Sequence, residues 1–99
     1  MAVYSGLFDV VVHWRDTAFY DQIAMSTKIS SHACVDLLEA CLENAGAPTG
    51  DFTGICDGKR FDSETAAEVL RTKVTAIMDS GTLCPTIHLY PESKVFLDQ

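Results

Sequence analysis

The stretch from Ser30 to Pro48, SSHACVDLLEACLENAGAP, constrains the fold more than any other part of the chain. Cys34, Leu38, Cys41, Leu42 and Ala45 recur at the three- and four-residue spacing of one helix face, which predicts a helix with that stripe buried. Ser30 or Ser31 can cap its start, because a serine hydroxyl accepts a backbone N–H that has no partner within the helix. Gly46 can take the left-handed conformation that closes a helix, and Pro48 blocks continuation. The opposite stripe is His32, Asp36, Glu39 and Glu43. Such a helix needs an apolar surface to lie on, and the rest of the chain must supply it.

The first candidate for that surface is LFDVVVHW, Leu7 to Trp14, rich in β-branched and aromatic residues. Alternation places Phe8, Val10, Val12 and Trp14 on one face of a strand and Leu7, Asp9, Val11 and His13 on the other. The first face is expected to be firmly buried and the second partly covered. Arg15 to Thr17 reads as a turn. Ala18 to Met25 is expected to pair back as a second strand with Phe19, Ile23 and Met25 inward, a helical turn capped by Asp16 being the alternative. Phe52 to Cys56 reads as a short strand. It is followed by Asp57-Gly58, a strong tight-turn pair because glycine tolerates positive φ.

FDSETAAEVLRTKVTAIMDSG predicts a second helix. Asp62 is its expected N-cap, Phe61 and Ala66 fit a weak hydrophobic staple, and Glu64 in the first turn favours the helix dipole. Ala66, Leu70, Val74, Ile77 and Met78 form its apolar stripe, Glu68 and Arg71 are i,i+3 neighbours, and Gly81 ends it. Thr82 to Pro91 is expected as a last strand with Ile87 and Leu89 inward, Pro85 confining its start to a sheet edge or to the first residues of the strand. A short terminal strand through Val95 to Leu97 is a further option. There is no internal repeat, linker or low-complexity tract. The expected fold class is α+β: one domain over residues 1–99, with a small, mostly antiparallel sheet and two helices packed on one face.

The ten residues HACVDLLEAC, His32 to Cys41, invite a metal or thiol reading. Helical phase argues against it. Cys34 and Cys41 are seven residues apart, so their Cα atoms lie about 10.5 Å apart along the axis. That exceeds the roughly 7 Å reach of a disulfide, and zinc pairs usually sit closer in sequence. Cysteine is among the residue types most often buried, so both are read as core. His32 and Asp36 at i,i+4 can touch each other. A nucleophilic Cys34 near a helix start, with His32 as base, would need both side chains on one side, and the phase separates them. His13 and His88 fall in strands, where a satisfied structural histidine is the ordinary reading. Nucleotide, phosphate, zinc-protease and serine-hydrolase motifs are absent. Asp51, Asp57, Asp62, Glu64 and Glu68 do not match a calcium loop. No metal or cofactor is expected, and no enzymatic activity.

Asp and Glu outnumber Lys and Arg by 14 to 7, giving a net charge of −7. That sign disfavours direct binding to nucleic acid or to anionic membranes. The four cysteines, with no basic leader ahead of the apolar N-terminal stretch, suggest reduced thiols in a cytoplasmic protein rather than a secreted disulfide scaffold. Asp36, Glu39 and Glu43 on the first helix and Glu64 and Glu68 on the second are the candidate partner-binding residues. They would dock on a basic protein surface, including one built for nucleic acid, so that the chain would inhibit by mimicry. In size and charge alone, the chain is similar to small acidic proteins of phages and mobile elements. A homodimer through the outer face of the first strand is compatible with this module. Two other expectations stand beside this one. One is a structural or assembly subunit that forms a homo-oligomer. The other is a thiol-dependent enzyme or small-molecule binder centred on Cys34.

Overall fold

A computed structural model of the chain describes residues 5–80 and 85–92. The elements run β1 (Ser5–Trp14), β2 (Thr17–Ser26), α1 (Ser31–Asn44), β3 (Phe52–Cys56), β4 (Lys59–Phe61), α2 (Ala66–Ser80) and β5 (Thr86–Pro91). The strands form one mixed sheet in the order β2-β1-β5-β3-β4. Neighbouring strands are antiparallel except β1 and β5, which run parallel with Val10 beside Ile87 and Val12 beside Leu89. A parallel pair needs a long crossover, and here the whole intervening chain supplies it. The fold is α+β, with both helices packed on one face of the sheet.

The expected hairpin forms, and its alternation holds. Phe8, Val10, Val12 and Met25 are buried, whereas Leu7, Asp9, Tyr20 and Gln22 are exposed. The turn is tighter than expected. It consists of Arg15 and Asp16, with Arg15 at φ 58°, and Thr17 already opens β2, its hydroxyl donating to the Trp14 carbonyl at 2.9 Å. Phe19 points to the helix side but stays 44% exposed, near the hairpin tip.

The Ser30 hydroxyl accepts the Ala33 N–H at 3.1 Å and starts α1. Gly46 follows Ala45, the last cap residue, at φ 75°. Cys34, Leu38, Cys41 and Leu42 face the sheet and belong to one core cluster with Met25, Phe8 and the β5 residues Ile87 and Leu89.

Two local expectations need correction. Lys59–Phe61, for which no strand is expected from its sequence, is one, because the Asp57-Gly58 turn folds it back on β3. Both turn residues have positive φ, 52° and 78°. The Phe61 ring lies over Gly54, so that a Cβ at Gly54 would run into it. The Asp62 cap forms as expected, and the regular second helix begins a turn beyond it, at Ala66. Asp62 Oδ1 accepts the N–H groups of Glu64 and Thr65 at 2.9 and 3.0 Å, and Thr65 Oγ1 in return accepts the Asp62 N–H at 3.0 Å. These bonds hold a turn over Ser63–Thr65 ahead of Ala66. Glu64 therefore precedes the helix, and Glu68 is the acidic residue of its first turn. Ala66, Leu70 and Val74 are buried as expected.

Strand β5 begins at Thr86, directly after Pro85, and lies in the interior of the sheet. Proline is tolerated there because it precedes the ladder, and its carbonyl accepts the Asp9 N–H at 2.9 Å. The expected strand start at Thr82, the helix end at Gly81, Cys84, the Ile77 and Met78 side chains and the terminal strand at Val95 to Leu97 lie outside the described residues. Among the described residues, no helix is long and apolar enough to cross a membrane.

Candidate functional site

Asp36, Glu39 and Glu43 fall on one stripe of α1, as the 3.6-residue period requires. Asp36 and Glu43 are exposed and Glu39 is half-buried. His32 Nε2 lies 3.5 Å from Asp36 Oδ2, and both side chains are largely in solvent. The helix carries no lysine or arginine. Nothing on α1 other than His32 can offset its carboxylates.

Glu64 and Glu68 sit elsewhere. Glu64 lines a concavity of about 500 Å3 together with Asp51, Arg60, Asp62 and Glu92. Glu68 lines a second concavity of about 500 Å3 with Lys59, Arg60 and Lys73. Lys73 is ion-paired with Asp57, and that partner raises its pKa. No α1 residue lines either concavity. The five candidate carboxylates thus divide into a stripe on α1, which has no lysine or arginine, Glu64 beside Arg60 and other carboxylates, and Glu68 beside three cationic side chains.

The thiols are core. Cys34, Cys41 and Cys56 are free and buried. Burial pushes the Cys34 thiol up to about 11, against a smaller opposing effect of Arg71. Cys34 Sγ contacts Met25 Sδ at 3.9 Å. Burial and then the Asp21 carboxylate raise Cys41 to about 12, and burial and then Asp57 raise Cys56 to about 11. A thiolate nucleophile needs the opposite environment. The expectation centred on Cys34 therefore loses its physical support.

The structure also assembles a cluster that strand-by-strand reading missed. His13 Nε2 and His88 Nδ1 are 2.9 Å apart, although the residues are 75 apart in sequence. His13 also stacks on Tyr90, with ring centroids 4.6 Å apart and planes 6° apart. All three belong to the sheet face opposite the helices. Burial, followed by the neighbouring His88, lowers the His13 pKa. A hydrogen bond between two imidazoles needs one bare nitrogen, so the contact holds only while at least one of the two rings is neutral. Alternation in LFDVVVHW placed His13 on this face. No sequence signal placed β5 beside β1.

Across that face, Tyr20 on β2, Val11 on β1, His88 on β5, Ile55 on β3 and Arg60 on β4 form one cross-strand row. Leu7, Tyr20 and Tyr90 are 52%, 81% and 41% exposed. Among the described residues, no group of three or more His, Cys, Asp or Glu side chains could hold a metal ion. Compared with family models, curated proteins and solved structures, the chain matches none of them.

Proposed function

We propose that the chain is a protein-interaction module that docks the acidic stripe of α1 on a basic surface of a partner protein, with nucleic-acid-handling proteins as the natural class. The observation that carries this reading is the charge asymmetry. Asp36, Glu39 and Glu43 share one stripe of a helix without lysine or arginine, while Lys59, Arg60 and Lys73 gather beside Glu68. Carboxylates on a helix that has no lysine or arginine of its own keep much of their field for a partner. A basic groove built for phosphates offers the complementary sign. The reading narrows the docking residues to Asp36, Glu39 and Glu43, with Glu64 and Glu68 as peripheral charges.

The test is capture of proteins from a lysate of the native host on the immobilised chain, repeated with Asp36→Asn, Glu39→Gln and Glu43→Gln combined. The expected result is a basic binding protein that is released by moderate salt or by competing DNA, and is lost with the triple variant. A captured set unchanged by the triple variant contradicts the reading. The variant should fold, because it leaves the buried side of α1 untouched.

A further inference from the structure

The face of the sheet away from the helices carries a second inference, independent of the α1 stripe. We infer that this face is a homodimer interface, with two copies of the chain packing sheet against sheet through Leu7, Tyr20, His88 and Tyr90. Four observations select a second copy as the occupant.

The first is charge. Two copies of a chain with net charge −7 repel over most of their surfaces. The strand rows of this face hold only two side chains of fixed charge, Asp9 and Arg60, one of each sign and on well-separated strands. The Gln22 side chain donates to Asp9 at 3.1 Å. Glu92, just past β5, accepts from the Thr53 hydroxyl at 3.1 Å. Placed against itself about a two-fold axis, the face sets no row of carboxylates opposite another. A partner with a strongly basic surface gains little here, because there is little negative charge to meet.

The second is chemistry. An exposed face of an antiparallel hairpin ordinarily carries polar side chains. Here Leu7 and Tyr20 stand in solvent beside Val11, which is itself covered, with the half-exposed Tyr90 further across. Aromatic residues with a polar tip are the kind enriched in the centre of protein interfaces. The His13–His88 bond and the His13–Tyr90 stack fix this centre before any partner arrives.

The third is size. With strands about 4.8 Å apart and about 3.3 Å per residue along them, a five-stranded face of this length presents on the order of 600 Å2. A standard interface takes roughly 800 Å2 from each partner, so the face suits a modest, reversible dimer.

The fourth excludes the competing mode of self-association. β2 is an edge strand of ten residues, and such edges invite strand-to-strand pairing. The Asp9 N–H is turned to Pro85, so its cross-strand partner Gln22 presents its own N–H to the open edge. The Asp21 carboxylate accepts that N–H at 2.8 Å, and its other oxygen accepts from Asn44 at 3.3 Å. A charged side chain thus holds the central donor of the edge. Edge pairing would have to displace it, whereas face packing leaves it in place.

The test is sedimentation velocity across a concentration series, with thermal unfolding as the control for folding. Wild type should rise from 10.8 kDa toward twice that mass. Tyr20→Glu, which alters a side chain mostly in solvent, should stay folded and weaken association by more than about tenfold, or about 1.4 kcal/mol. Asp21→Ala, whose side chain lies on the helix side of the sheet, frees the Gln22 edge N–H and should leave association within about threefold. A wild type that stays monomeric to about 1 mM overturns the inference. So does association strengthened by Asp21→Ala and kept in Tyr20→Glu, which would assign the dimer to the edge. If Tyr20→Glu unfolds, Leu7→Glu replaces it with the same expected loss.

Discussion

The same strands build two unlike surfaces. On the helix side, Phe8, Val10, Ile87 and Leu89 are essentially inaccessible, and the buried stripes of α1 and α2 complete the packing. On the other side, one residue away along each strand, Leu7 is half in solvent and Tyr20 almost wholly so. Both sides carry apolar side chains. Apolar character in a strand therefore does not itself say which side is core. The helices decide that, because each has only one apolar stripe to offer. On the second side Leu7 and Tyr20 stay exposed while Val11 is covered, and the histidine and tyrosine rings hold one another in place.

The contrast can be broken most severely from the packed side. Leu38→Ala removes a fully buried side chain at the middle of α1 and should lower stability by about 2–5 kcal/mol in urea unfolding. A loss under about 1 kcal/mol would mean that the helix is not seated on the sheet as described. Gly54→Ala should cost about 1–3 kcal/mol, because the new methyl and the Phe61 ring need the same space. A neutral result there would show that Phe61 has an alternative seat.

The histidine pair sharpens the open side. The folded state holds the His13 pKa below its ordinary value of 6.5, so the unfolded chain takes up this proton first as pH falls. The stabilisation linked to His13 is fully present above about pH 6.5 and is lost as pH drops through that value toward the lower folded pKa. The urea midpoint of wild type should therefore fall more steeply between about pH 7 and pH 5 than that of His13→Gln. Parallel curves for the two proteins would remove the imidazole pair from the account. The smallest effect belongs to Tyr20→Ser, which should change monomer stability by no more than about 0.5 kcal/mol. A larger loss in dilute protein would make Tyr20 part of the core.

Much of the fold was legible because local chemistry and tertiary need agree. The Ser30 cap, the Cys34-to-Ala45 stripe, the Gly46 stop and the Asp57-Gly58 turn each act within a few residues, so a short window contains the whole cause. The two faces of β1 were legible for the same reason. The parallel seat of β5 was not, because it depends on which distant strand fills the gap between β1 and β3. The His13–His88–Tyr90 cluster depends on that seat and was hidden with it. The α1 carboxylates were found by helical phase. Their separation from Glu64 and Glu68 was not, since the position of Lys59, Arg60 and Lys73 beside Glu68 requires the β3–β4 hairpin to lie against α2. Lys59–Phe61 is three residues long, too short to show a period.

The most direct measurement of the contrast between the two faces is a concentration series of two-dimensional NMR spectra. The account predicts shifts that move with concentration at Leu7, Val11, His13, Tyr20, His88 and Tyr90, with the core methyls of Leu38 and Leu42 and the α1 stripe unchanged. Shifts centred on Asp36 and Glu43 or on the β2 edge amides, or no shifts at any concentration, would contradict it.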